Sequence, residues 1–347
     1  TIMMYTVLYT AVLMACCIVC FLLLFIFAMI LRPTLARPLV YLNFVLGGEI
    51  RKMLRRPCEL FQPECEARNI DVCTSDGETL HGWHITPADM RADDASLARP
   101  GSRTILFLHG QAGSRGGVTQ APERAARVML MKTMALRFQC NVICVDYRGF
   151  GGSTGTPSEQ GLRLDAHAMF AWVAKHVPSP SCIIIYGQSL GSAVACRLAA
   201  DLSSETLTQA SPPPSDFGGL ILDAAFTSVP DAAISHPLFR GFFKVLPRAL
   251  RVFLLDKIPD RWESHVAIHD VTCSILMVHK TQDEIVPVRL GRALAEEARR
   301  RTSLRDGATT TFLEINDPTK RMRRHHIDSF TTSDWNAALS AFFDKVS

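Results

Sequence analysis

Apolar residues follow two regimes in this chain. From Thr1 to Leu31 no charged residue interrupts them, and positions 7–31 form one unbroken run, "VLYTAVLMACCIVCFLLLFIFAMIL". As a helix that run reaches ~37 Å against a hydrocarbon core of ~30 Å, which predicts a single tilted membrane-spanning helix over 1–31. A cleaved signal peptide has an apolar region of only ~7–15 residues followed by small residues, whereas this run ends at Arg32-Pro33, so it reads as a retained anchor. Residues 32–65, with prolines at 33, 38, 57 and 63, read as a juxtamembrane connector.

From residue 66 to 347 the apolar positions come in short runs alternating with helically spaced stretches. Strands are predicted at 79–86, 104–108, 141–145, 182–186, 220–222, 274–278 and 310–315, and helices at 121–137, 159–176, 192–202, 289–300 and 334–343. Such alternation implies an α/β domain with a mostly parallel sheet covered by helices on both faces. Two segments interrupt it. "SSETLTQASPPPS", 203–215, reads as a surface insertion without chemistry. In 235–262, Phe239, Phe242, Phe243, Leu246, Leu250, Phe253 and Leu254 interleave with Arg240, Lys244, Arg248 and Arg251 in short helical pieces. That mixture predicts a small helical cap, at about 230–262, whose apolar rings, Phe242 and Phe243 among them, rest on a bilayer carrying anionic lipid, the alternative being a cap that only completes the hydrophobic core.

Composition narrows the function further. A hydrophobic content of 48% over 347 residues is enough for a full core, and a formal charge of only +4, without a basic stripe, excludes nucleic acid as the main partner. Eleven cysteines are present, three of them in the first apolar run and the others without CxxC or His/Cys metal spacing, so they read as mostly reduced. Neither a metal nor a cofactor is expected. Arg32, Arg37, Arg51, Lys52, Arg55 and Arg56 follow the apolar run, and the positive-inside rule then puts the C-terminal domain in the cytosol.

The chemistry centres on "CIIIYGQSLGSAVACRLAA", where Ser189 sits between Gly187 and Gly191 at the seam of a predicted strand and helix. Glycines on both sides signal a tight turn with close backbone approach, the nucleophile elbow of α/β-hydrolases, in which acid and then base follow the serine along the chain. A serine hydroxyl needs a histidine to take its proton and a carboxylate to orient that histidine. Asp283, on the short loop "KTQDEIVP" after an apolar strand, is the preferred acid; its rival Asp223 ends the preceding strand and reads otherwise as a turn residue. After the last strand only His325 and His326 remain, and His326 is preferred. Backbone N–H groups of Leu190 and Gln111 are the expected oxyanion donors.

Together "FLHGQAGSRG", "VDYRGFGGSTGTPSEQGLRLDA", "GQSLGSAVA", "SHPLF" and "KTQDEIVPVRLGRAL" resemble the alpha/beta-hydrolase domain 12 family of membrane-anchored serine hydrolases, which are lysophospholipid and monoacylglycerol lipases. The resemblance covers roughly residues 66–347. It implies the α/β-hydrolase fold, with Ser189 as nucleophile, Asp283 as acid, and Gln111 and Leu190 as oxyanion donors; the His-x-Asp of relatives favours His326 with Asp328. It further implies a lipid ester substrate cleaved through an acyl-enzyme, and a single-pass protein of an endomembrane such as the endoplasmic reticulum. The family includes lumen-facing enzymes, so the side of the membrane stays open, as does the oligomeric state. A protein depalmitoylase and a catalytically silent membrane-tethered scaffold are the alternative readings.

Overall fold

A computed structural model describes Tyr9, Met14 and residues 32–45, 48–117, 125–204, 216–237, 239–316, 326 and 328–346. Among these no helix is long and apolar enough to cross a membrane, and the predicted anchor, Tyr9 and Met14 apart, lies outside them. So do most of the predicted insertion and the alternative base His325.

An eight-stranded sheet organises the chain: β1 (Cys65–Cys73), β2 (Thr79–Pro87), β3 (Thr104–Leu108), β4 (Asn141–Val145), β5 (Ile183–Gln188), β6 (Gly219–Asp223), β7 (Ile275–Lys280) and β8 (Thr310–Ile315), in the order β1-β2-β4-β3-β5-β6-β7-β8. β1 and β2 pair antiparallel with each other, and β2 does so with β4; every other pairing is parallel. The strands β3 to β7 are buried along their whole length, which is why they read as continuous apolar runs.

Helices flank both faces. On one lie α2 (Glu159–His176), α3 (Leu190–Ser203) and α7 (Val288–Arg299); on the other lie α1 (Ala126–Phe138) and α8 (Ser333–Lys345). Their starts follow local capping chemistry. The Ser158 hydroxyl accepts the Gly161 N–H at the head of α2, and the Thr332 hydroxyl accepts the Trp335 N–H at the head of α8. Between β6 and β7 three short helices, α4 (Val229–Ser235), α5 (Arg240–Val245) and α6 (Arg248–Asp256), form the cap.

The structure departs from the sequence reading, or adds to it, in three places. Strand β1 is not among the predicted strands. Its Cys65 and Ala67 belong to the core on one face of the sheet, but Ile70 and Val72 to the core on the other, with the pairing to β2 unbroken from 65 to 73. The buried phase therefore flips midway, and no single alternation marks the strand. The connector also contributes to the core. Tyr41, Leu54 and Phe61 are buried in the main cores, and Pro33, Pro38 and Pro57 start its short helices. Third, Phe243 does not face outward: it is 9% exposed and packs with Leu255 and Ile258, and Phe242 is half-buried beside it. The apolar side chains that the cap does expose are Val245, Leu250, Val252 and Phe253.

Candidate active site

Strand β5 ends at Gln188, and α3 begins at Leu190, so Ser189 alone makes the turn. It does so at φ 53° and ψ −119°, a conformation that costs a non-glycine residue ~1–3 kcal/mol and needs support from its surroundings. That support is specific. The Ser189 N–H donates to the Asp223 carbonyl at 2.9 Å, and the Ser189 carbonyl accepts the N–H and hydroxyl of Ser192 at 2.8 and 2.6 Å. The flanking glycines are required by close approach. A Cβ on Gly187 would lie 2.3 Å from the Gly191 carbonyl oxygen, and one on Gly191 would lie 2.0 Å from that of Leu108.

Three side chains distant in sequence meet at this turn. His326 Nε2 lies 2.9 Å from Ser189 Oγ, and its Nδ1 lies 2.7 Å from Asp283 Oδ2. The other carboxylate oxygen of Asp283 accepts the N–H groups of Ile285 and Val286, each at 2.9 Å. Burial pushes the Asp283 carboxyl up, but the charge and hydrogen bond of His326 outweigh it and hold it below the usual range. For His326 burial pulls downward, and the charge and hydrogen bond of Asp283 overcome it, so the imidazole sits above its ordinary value.

The rival acid Asp223 has other work. It is buried, and its Oδ2 accepts the Tyr186 hydroxyl at 2.8 Å and the Ser329 hydroxyl at 2.6 Å. Burial raises its carboxyl above the usual range.

Leu190 follows Ser189 directly, and among the described residues neither its backbone N–H nor that of Gln111 has an acceptor. The Gln111 loop comes so near the elbow that a Cβ on Gly110 would stand 3.2 Å from both the Gln188 carbonyl oxygen and Ser189 Cβ. Arg127, which no sequence pattern distinguishes from other helix arginines, holds this loop from inside. Its buried guanidinium donates to the carbonyls of Gln111, Ala112 and Ser114 at 2.6–2.8 Å. Lys280 does the same for the base. It closes β7, and its buried Nζ lies 2.7 Å from Asp328, two residues after His326. An aspartate two residues after the preferred histidine was the visible signal of this pair.

Such an arrangement can pass a proton from a serine hydroxyl to an imidazole and stabilise an oxyanion beside it. Known proteins agree with the geometry. A model described as "Alpha/beta hydrolase family" matches residues 105–320. Lysophosphatidylserine lipase ABHD12 of Danio rerio is 32% identical over 283 residues, covering 78% of this chain and 68% of the relative; its Bos taurus counterpart is 32% identical over 294, covering 81% and 68%. Among solved structures, an alpha-beta hydrolase from Vibrio vulnificus shares the fold with a TM-score of 0.59 at 19% identity, over 86% of this chain and 88% of the other. A strained serine at a strand–helix turn, on a sheet of this order, in a chain with these relatives, makes this a serine ester hydrolase that belongs to the alpha/beta hydrolase family, with the ABHD12 proteins among its kin.

Proposed function

We propose that the protein is a single-pass, membrane-anchored lipase that cleaves the ester of a lysophospholipid or monoacylglycerol through an acyl-enzyme on Ser189. The observation that carries the reading is the continuous hydrogen-bonded run from Asp283 through His326 to Ser189. His326 Nε2 takes the proton as Ser189 Oγ attacks the ester carbonyl, and Asp283 keeps the imidazole in the required tautomer and stabilises its charged form. Negative charge on the carbonyl oxygen is met by the N–H groups of Leu190 and Gln111. His326 then gives its proton to the departing glycerol oxygen. Water, activated by the same imidazole, releases the fatty acid.

A lipid substrate is supported by the ABHD12 relatives, which are named lysophosphatidylserine lipases, and by the apolar surface of the cap. The uncharged run at 1–31 supports the anchor, and an endomembrane location accords with it. To test the reading, wild-type and Ser189→Ala full-length protein are compared in membranes for labelling by a fluorophosphonate and for release of fatty acid from a lysophospholipid. Both signals vanish in the variant if Ser189 is the nucleophile. Labelling of Ser189→Ala at the wild-type level refutes the assignment.

A further inference from the structure

Apart from the Ser189 site, the structure holds a cleft of ≈840 Å³ between the connector and the β1/β2 edge of the sheet. Neither Ser189, Asp283, His326, Gln111 nor Leu190 lines it. It opens at the same end of the sheet as the elbow, since Gly82 on its wall pairs with Val145 at the C-terminal end of β4. β3 lies between β4 and β5, which sets the cleft ~10 Å or more from Ser189 along the sheet.

Its walls are cationic and rich in donors. Arg51, Lys52 and Arg55 line one side, and among the described residues the only carboxylate in the lining, Asp71, is engaged by His81 at 2.7 Å. Opposite lies the turn Gly149–Gly152. Gly151 and Gly152 stand at φ 56° and 121°, and among the described residues neither N–H has an acceptor. Successive glycine N–H groups in such a turn form a concavity suited to an oxyanion. Arg115 completes the lining: it is almost fully buried, its Nη1 pairs with Asp146, whose carboxylate also packs against Gly151, its Nη2 donates to the Leu54 carbonyl at 2.9 Å, and its Nε has no hydrogen-bond partner among the described residues.

What kind of anion fits is decided by the rim. Phe44 and Val45, directly after the lining residue Asn43, are 65% and 41% exposed, which puts a bare phenyl ring next to a basic cleft a short way along the chain from the apolar run at 1–31. A free phosphate has no use for that ring, whereas a phospholipid carries an anionic phosphate and apolar acyl chains in one molecule.

We propose that this cleft binds the phosphate head group of an anionic membrane phospholipid, with Phe44 and Val45 in the acyl region, as a site separate from the one that cleaves ester. The lipid half of the proposal rests on the membrane anchor proposed above; the anion half does not. The test uses full-length Ser189→Ala protein, so that no lipid is hydrolysed, in phosphatidylcholine nanodiscs titrated with phosphatidylserine, and follows hydrogen exchange at 48–56 and 149–153. Both segments become protected as anionic lipid is added, and Arg51→Gln with Arg55→Gln raises the fraction needed for half-protection by roughly 30-fold. Unchanged exchange in β5 serves as the control for folding. The site is refuted if the two segments respond equally in pure phosphatidylcholine, or if the double variant titrates like its parent. Equal protection by inorganic phosphate, without anionic lipid, refutes the lipid and leaves a simple phosphate site. Because the readout is exchange in a variant that lacks the serine, failure here and failure of the lipase reading are distinguishable.

Discussion

Gly191→Ala adds one methyl group to the molecule and tests how the elbow and the oxyanion donors are held together. The new Cβ would lie 2.0 Å from the Leu108 carbonyl oxygen, 2.6 Å from its carbon and 2.7 Å from the His109 carbonyl oxygen. A carbon–oxygen contact settles at ~3.3 Å, so the overlap is about 1.3 Å. No side chain can swing away to relieve it, because the atoms struck are the backbone at the end of β3, which runs directly into the Gln111 loop. The first turn of α3 must therefore move from β3 by about 1 Å, and Leu190 N–H moves with it, away from Gln111 N–H. Overpacking of this kind costs ~3 kcal/mol. A misplacement of ~1 Å at the reacting centre lowers turnover by about 100-fold. The assay is kcat/KM on a soluble p-nitrophenyl ester, normalised by active-site titration, with the midpoint of thermal inactivation measured alongside. Gly241→Ala is the control. It lies on the exposed face of α5 with nothing within 4 Å of its added Cβ, and leaves both quantities at or slightly above wild type. Native turnover and an unshifted midpoint in Gly191→Ala would refute the close-approach argument.

Asp283→Asn lowers kcat by about 10⁴-fold, through the wrong imidazole tautomer. Asp223→Asn, which keeps an acceptor for Tyr186 and Ser329, changes kcat by no more than a few-fold; equal losses in steady-state assays would reassign the acid. The pH profile gives a separate check. Catalysis needs neutral His326, and Asp283 holds that imidazole above its ordinary value, so kcat/KM falls as pH drops through a midpoint above ~6.5. In Asp283→Asn the charge that raises it is gone and the midpoint moves to lower pH; a midpoint that stays put would detach His326 from Asp283. At the cap, Val252 and Phe253 are 57% and 43% exposed, and replacing both with serine lowers hydrolysis of a lysophospholipid in vesicles by about tenfold while a short soluble ester is cut normally. Equal loss on both substrates would show that these side chains support the cap instead of meeting lipid.

Much of the architecture was legible because local physics and the final fold agree. Fully buried parallel strands must be apolar throughout, so β3, β4 and β5 stand out as short runs of Ile, Val and Leu, and the capped helix at 159–176 was bounded to the residue. The elbow was legible for a stronger reason. Two glycines around a serine are demanded by backbone contacts that any chain making this turn must form, and those contacts write themselves into the local sequence.

What the sequence alone could rank but not settle was which distant residues meet. His326 lies 137 positions from Ser189, and its choice of Asp283 over Asp223 follows from where β7 ends relative to β6, a matter of sheet order. The same holds for β1, whose two halves are buried by different faces of the sheet, for Phe243, which turns inward because α6 supplies Leu255 to cover it, and for the Arg127 and Lys280 clamps, each a single cation like many others until folding removes it from water. Periodicity reports whether a position is buried, and tight turns report their own geometry. Which partner a buried group finds is set by long-range packing, and only the tertiary structure decides it.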